Sequence, residues 1–363
     1  MKFLEKTASV VSSVEIDSEL EDLANDVFAN ATLDEQTLRE TWNTLSELGL
    51  ARLTGSEELG GSGASWSEAA CVARAAASQG LPIPYVESDL LAGWLLEQLG
   101  LPVDDAIRTV AFLNRQGHSN RAPWVREADR IVVVRPFGET DTDGYSSWQV
   151  ADIERGKVSI EDIPHYGKEP RSKISLPNEA GIEWHELSNS KFHLLYLRGA
   201  LARSVQVVAA LETATVLARE HVVTRHQFGR PVARFQSVQN LIVDAVAEAT
   251  LARSAVEVAL KKAVETDLDS TDSAFYVAVA KSVVGRATSI VVRNTHQAMG
   301  AMGTTEEHSL HKFTNAALTW RGEFGSPHSW EQKLGEAMNT GAVDDVWGNI
   351  VEGVEVEIPA AMV

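Results

Sequence analysis

The spacing of apolar positions changes character twice along the chain. Over residues 14–104 the pattern predicts helices. Leu38, Trp42, Leu45 and Leu48 recur at three- and four-residue steps and so share one face. Thr32 and Glu35 have capping-box spacing before that stripe, and Gly49 is placed to end it. EELGGSG at 57–63 reads as a turn-rich connection, followed by an alanine-rich helix from about Ser65 to Ser78. LPIP at 81–84 breaks it ahead of a further helix containing Trp94 and Leu95. From about 105 to 188 the runs IRTVAF, RIVVVRP, SSWQVAD and GKVSI are short, β-branched and punctuated by Gly, Asp, Asn and Pro. Those features predict a small antiparallel β domain.

From about 190 the helical period returns and stays. In one helix Phe235, Val238, Leu241, Ala245, Ala249, Ala252, Val256 and Leu260 form a long stripe with alanines in its middle, where a neighbour can approach closely. The helices on either side, at about 194–224 and 271–299, are apolar over most of their circumference, as in a bundle or an oligomer core. The fold class is α+β: an N-terminal helical domain over 1–104, a reduced middle β domain over 105–188, and a C-terminal four-helix bundle over 189–363. No internal repeat or low-complexity segment interrupts this order.

Bulk properties narrow the functional classes. The 363 residues carry 51 acidic against 32 Lys and Arg side chains, a formal charge of −19, which repels nucleic acid and anionic membranes. A phosphorylated ligand remains allowed, because a few local arginines suffice to hold one. No segment reads as a membrane span, and the N-terminal stretch lacks the features of a secretory signal. The single cysteine, Cys71, lies in the small-residue run AACVARAAA. It reads as a buried structural thiol and fits a reducing cytoplasm. No metal-ligand spacing stands out.

Two segments carry chemistry. In RHQFGRPVARFQSVQ (225–239), Arg225 ends one long helix and Phe235-Gln236 begin the next, with Gly229 and Pro231 making a tight connection. An arginine there suits the helix dipole and is free to reach an anion, although an ordinary helical hairpin with a surface arginine reads the same way. In HQAMGAMGTTEEHSLHKF (296–313), Gly300 and Gly303 follow a long helix, and Gln297 stands one turn earlier. Alone, that is a glycine C-cap.

Together, at this separation, the segments resemble the C-terminal domain of the acyl-CoA dehydrogenase family. There an Arg-x-x-Phe-Gly loop precedes Phe-Gln, and a Gln-x-x-Gly-Gly-x-Gly turn follows about sixty residues later. WNTLSELGLARL, EELGGSG and LPIPYVES are similar to the family's N-terminal region. The resemblance implies FAD as cofactor, an acyl-CoA substrate, and an electron-transfer flavoprotein or another acceptor as partner. It implies that Arg225 reaches the pyrophosphate of a neighbouring subunit's FAD. Gln227 and Phe228 would lie beside it, Gln236 along the same cofactor, and Gln297, Gly300 and Ala301 at its adenosine end. Ala301 stands where the family has the second glycine of the turn.

The departures matter as much. The family's base is a glutamate at one of two places. Counting 27 residues on from Gln297 gives Phe324; counting 26 back from Arg225 gives Gly199. Neither is a carboxylate. Glu323 is adjacent to the first place and is the one candidate catalytic residue, on a one-residue shift; otherwise it is a surface glutamate beside Arg321. The family's flavin-holding Thr/Ser-Glu-Pro-x-x-Gly-Ser stretch has no match between Ile107 and Trp184. Trp148 and Trp124 read better as packing residues than as a wall for the flavin.

Keeping what serves another subunit's FAD and losing what serves its own resembles the bacterial heteromeric (α2β2) acyl-CoA dehydrogenases. Those act on bulky, notably steroid-derived, CoA thioesters in lipid degradation. Three readings follow: a half-site subunit of such a heterotetramer, a self-sufficient homotetramer using Glu323, or a non-enzymatic assembly protein that reuses the fold.

Overall fold

The computed structural model describes residues 18–29, 31, 35–141, 144–165, 167–340, 348, 350 and 353–358. Thr32 lies outside them. Helices α1 (Ser18–Ala29), α2 (Glu35–Glu47) and α3 (Trp66–Ser78) come first. The Ser65 side chain caps α3, and Glu68 returns the bond to the Ser65 backbone in a full capping box. Trp42 and Leu45 of the predicted stripe are buried, whereas Leu48 is exposed at the helix end. After the LPIP break the chain makes a π-helical stretch, Val86–Gly93, that runs into α4 (Trp94–Gln98). Cys71 is buried within α3.

Strands β1 (Arg108–Phe112), β2 (His118–Pro123), β3 (Arg130–Asp141), β4 (Gly144–Glu154), β5 (Ser159–Asp162), β6 (Arg171–Ser175) and β7 (His185–Ser188) follow. They form two sheets, ordered β1-β3-β4-β7 and β2-β6-β5. Ile131 to Val134 of β3 are all fully buried. Val132 and Val134 join the main core under the helices, while Ile131 and Val133 pack into a second core between the sheets. Alternate residues point to opposite faces, and both faces are covered, so the run reads as continuously apolar. One expectation is corrected. β1 and β3 pair in parallel, because the chain between them detours through β2 in the other sheet. The remaining pairings in both sheets are antiparallel.

The C-terminal helices are α5 (Asn189–Thr224), α6 (Gln236–Thr266), α7 (Ser273–Met299), α8 (Leu310–Trp320) and α9 (Pro327–Thr340). α5 is buried on every side from Leu195 to Leu211. On α6 the predicted stripe is buried from Ala245 onward. The reading that no segment has the length and purity of a membrane span is also corrected. By length and composition, windows in Asn189–Thr224 and Ser273–Thr304 qualify. The first is 94% buried inside the protein, which makes α5 a core helix that other helices, not lipid, surround.

Candidate functional site

The Arg225 segment folds as its residues dictate. α5 stops at Arg225, whose backbone turns extended while its N–H still bonds His221 O at 2.9 Å. Two-residue strands β8 (His226–Gln227) and β9 (Arg230–Pro231) pair across Phe228 and Gly229, whose φ values are 52° and 76°. Two successive positive φ values make this a type I′ hairpin. Glycine adopts that conformation freely, but an aromatic residue does not. Phe228 nevertheless occupies it, with 89% of its surface exposed.

The second segment ends α7 with Gly300 at φ 60°, and its N–H caps the carbonyls of His296 and Gln297. Gly303 packs so close to His296 and Met299 that a Cβ there would crowd them. Arg225, Gln227, Phe228, Gln236, Gln297, Gly300 and Ala301 are all exposed. The side chains of Arg225, Gln227, Gln236 and Gln297 make no hydrogen bond or ion pair to the described residues.

The two positions where the resemblance puts a base meet in space. A Cβ added at Gly199 on α5 would overlap the Phe324 ring, which lies directly on it. Phe324 holds φ 51° beyond the end of α8 and makes edge contacts with Phe112 and Tyr196 at 5.9 and 5.7 Å between centroids. The locus is packed with aromatic carbon. Trp148 stacks on Phe192 at 3.6 Å and bonds Asn189, and Trp124 bonds Glu169, so both are core residues.

Glu323 is half-buried rather than fully exposed, and it is not paired with Arg321, whose guanidinium bonds Ser289 instead. Its carboxylate is bound by Arg171 and, at 2.7 Å, by Arg203 Nε. Arg171 and Arg203 also reach Glu169 at 2.8 and 3.1 Å, and Arg203 reaches Glu87. All four of these partners are buried. Burial alone would raise the Glu169 carboxyl, but Arg171 and Arg203 pull it down to about 2. Glu87 goes the other way. Burial pushes it up to about 7 against the pull of Arg203, since Glu169 and Glu323 already balance the two guanidinium groups. Lys281 donates to the carbonyls of Glu323 and Arg321 at 2.6 and 3.0 Å, and burial lowers it to about 7. Sequence reasoning missed this cluster. Its one signal was charges set in apolar surroundings, Glu87 with Asp89 in YVESDLL and Arg203 in GALARSV.

Residues 14–102 match the acyl-CoA dehydrogenase N-terminal domain, and residues 196–327 the acyl-CoA dehydrogenase C-terminal domain. The chain belongs to the acyl-CoA dehydrogenase family. The acyl-CoA dehydrogenase FadE27 of Mycobacterium tuberculosis is 24% identical over 347 residues, covering 84% of this chain and 90% of that one. Among solved structures, the ChsE4-ChsE5 complex from Mycobacterium tuberculosis superposes with a TM-score of 0.75 at 20% identity, over 89% of this chain and 97% of that one. A variant of the Tcur3481-Tcur3483 steroid ACAD gives 0.73 at 18%, over 93% and 98%. These structural likenesses establish the acyl-CoA dehydrogenase fold.

FAD is the family's cofactor, and the residues present divide in how they fit it. An exposed guanidinium with no ion pair among the described residues, together with glutamines and a glycine turn, suits a dinucleotide presented from outside the chain. The Gly199–Phe324 locus does not suit a base, because an aromatic ring occupies the space a carboxylate would need.

Proposed function

We propose that this acyl-CoA dehydrogenase chain is a half-site subunit of a heteromeric enzyme that desaturates a CoA thioester. It contributes Arg225, Gln227, Phe228, Gln236, Gln297, Gly300 and Ala301 to FAD seated in a different partner chain. The observation that carries this reading is the contrast between two loci. Every residue assigned to the nucleotide is exposed, while Phe324 fills the place of the base against Gly199. Bound FAD supplies the hydride acceptor for the substrate Cβ; the carboxylate that takes the Cα proton belongs to the partner. This chain's residues bind and orient. Arg225 holds the diphosphate, and Phe228, fixed at the hairpin tip, covers apolar surface on the companion. The likeness to a two-chain complex and to a steroid enzyme favours an α2β2 heterotetramer acting on a steroid-derived thioester in the cytoplasm, reoxidised by an electron-transfer flavoprotein.

The test is co-expression with a partner dehydrogenase chain, followed by visible absorbance of the purified complex. The expected result is one flavin per pair of chains, and a colourless protein when this chain is purified alone. In the complex, Arg225→Ala weakens FAD binding by about 10- to 100-fold, the value of a charge-assisted bidentate contact. A yellow homotetramer carrying one flavin per chain would establish the self-sufficient reading instead. A flavin-free complex that is indifferent to Arg225 would leave an assembly protein.

A further inference from the structure

The end of the bundle that carries Arg225 is basic in a chain of net charge −19. Residues 219–234 hold Arg219, Arg225, Arg230 and Arg234 against one carboxylate, Glu220. None of the four guanidinium groups is ion-paired to the described residues; Arg230 lies over the Phe235 ring at 4.1 Å. Unpaired arginines gathered on an acidic protein mark a place where negative charge arrives from outside.

Three histidines stand in this cluster: His226, exposed beside Arg225 with its Nδ1 at 3.1 Å from the Thr224 carbonyl, and the pair His221 and His308. His221 lies one turn before Arg225 on the same face of α5, half-buried, its ring without a hydrogen bond to the described residues. That ring meets the ring of His308 edge-on, 6.2 Å between centroids. His308 comes from the connection between α7 and α8 that contains the Gly300 turn, so the contact ties the two nucleotide segments together. His308 Nδ1 accepts the Leu310 N–H at 3.1 Å. The neutral ring therefore carries its hydrogen on Nε2, a donor. Burial first, then the fields of His308 and Arg225, hold the His221 pKa below the ordinary value, and no carboxylate offsets them. The other charged or titratable groups on the packed elements are otherwise engaged or exposed. His296 of α7 bonds Thr314, and His311 of α8 bonds the His308 carbonyl. Glu220 faces solvent, as do Glu306 and Glu307 ahead of His308.

We infer that His221 and His308 complete, with Arg225, a cradle for a diphosphate group, and that His221 takes up a proton when the diphosphate binds. This rests on the proposed reading that Arg225 reaches a nucleotide held by a companion chain. The sign follows from linkage. Harder to protonate than a free imidazole in the empty site, His221 gains a reason to be charged beside an anion, so binding is tightest at low pH. It weakens as pH rises through the pKa of the liganded state. Both FAD and CoA carry a diphosphate; the cradle is assigned to FAD.

The experiment titrates the flavin-stripped complex with FAD by fluorescence at pH 6 and pH 8, and in parallel with free CoA. Wild-type FAD affinity falls by up to about tenfold over that range, the effect of a one-unit pKa shift. His221→Gln binds at pH 6 as weakly as the wild type does at pH 8, with no slope between them. His221→Asn does the same and checks that the loss is not misfolding. His308→Gln weakens binding at both pH values and keeps the slope. A wild-type slope in both His221 variants overturns the inference, as does a slope on the CoA arm alone. Arg225→Ala separates the two levels. If it loosens FAD while the His221 variants change nothing, only the cradle falls; if it binds FAD as the wild type does, the proposed function falls as well.

Discussion

A carboxylate whose two oxygens each accept from a guanidinium group is held toward those partners by charge-assisted bonds rather than presented to a substrate. Glu323 is in that position, between Arg171 and Arg203. The consequence for Glu323→Gln is a loss of stability without a loss of chemistry. The amide removes the charge and leaves part of the pairing unmade, at a cost of about 2 kcal/mol. The expected outcome in the assembled complex is a melting temperature lower by a few degrees and an unchanged turnover per bound flavin. A fall in turnover of about 10²–10⁴, the usual worth of a positioned base, would instead assign Glu323 the catalytic role. At Arg225 nothing among the described residues competes for the guanidinium, which is why a residue far from the base locus is expected to matter more to the flavin than Glu323 does.

Helix α5 and the segment after α8 are fitted to one another at Gly199. The ring of Phe324 lies where a side chain on α5 would begin, and its positive φ of 51° aims it there. Gly199→Ala forces that ring away and costs about 1–3 kcal/mol by overpacking. Phe324→Ala opens a cavity of its own, but the double variant recovers part of the loss. Chemical denaturation of the four proteins gives a favourable coupling between the sites, and strict additivity would show that they do not touch. The hairpin bearing Phe228 has the opposite logic. Its conformation suits glycine, yet it carries an exposed aromatic ring, a costly choice for a chain that stands alone and a useful one for an interface.

Across the whole molecule, Glu87, Glu169, Arg171, Arg203 and Glu323 tie the π-helical stretch, the second sheet, α5 and the end of α8 together through one buried cluster. Burial outweighs the pull of Arg203 on Glu87, so its folded pKa of about 7 lies above the ordinary carboxyl value. A carboxyl raised in this way gives full stability below its unfolded pKa and loses it as pH rises through 7. Glu87→Gln removes that loss. Its unfolding free energy relative to the wild type should climb between about pH 4.5 and 7.5, by an amount on the order of 3 kcal/mol. A constant difference across that range would show that Glu87 is ionised throughout.

The legible part of this fold was periodic. Stripes on α2 and α6, the all-round apolar α5 and α7, and the valine-rich core strands announced themselves because burial repeats with the backbone period. Strands β2, β6 and β7 did not, since HSNRAP, RSKIS and HELS are largely polar and gain their pairing only from neighbours. The parallel β1–β3 pair was equally invisible, because strand direction depends on the route of the intervening chain. Motif spacing located Arg225, Gln297, Gly199 and Phe324 by position alone. Only the tertiary structure brought Phe324 onto Gly199, gave Glu323 its two arginines and set His308 against His221. Those contacts join residues far apart in sequence, and the free energy that fixes them lies in packing and charge pairing that no local pattern encodes.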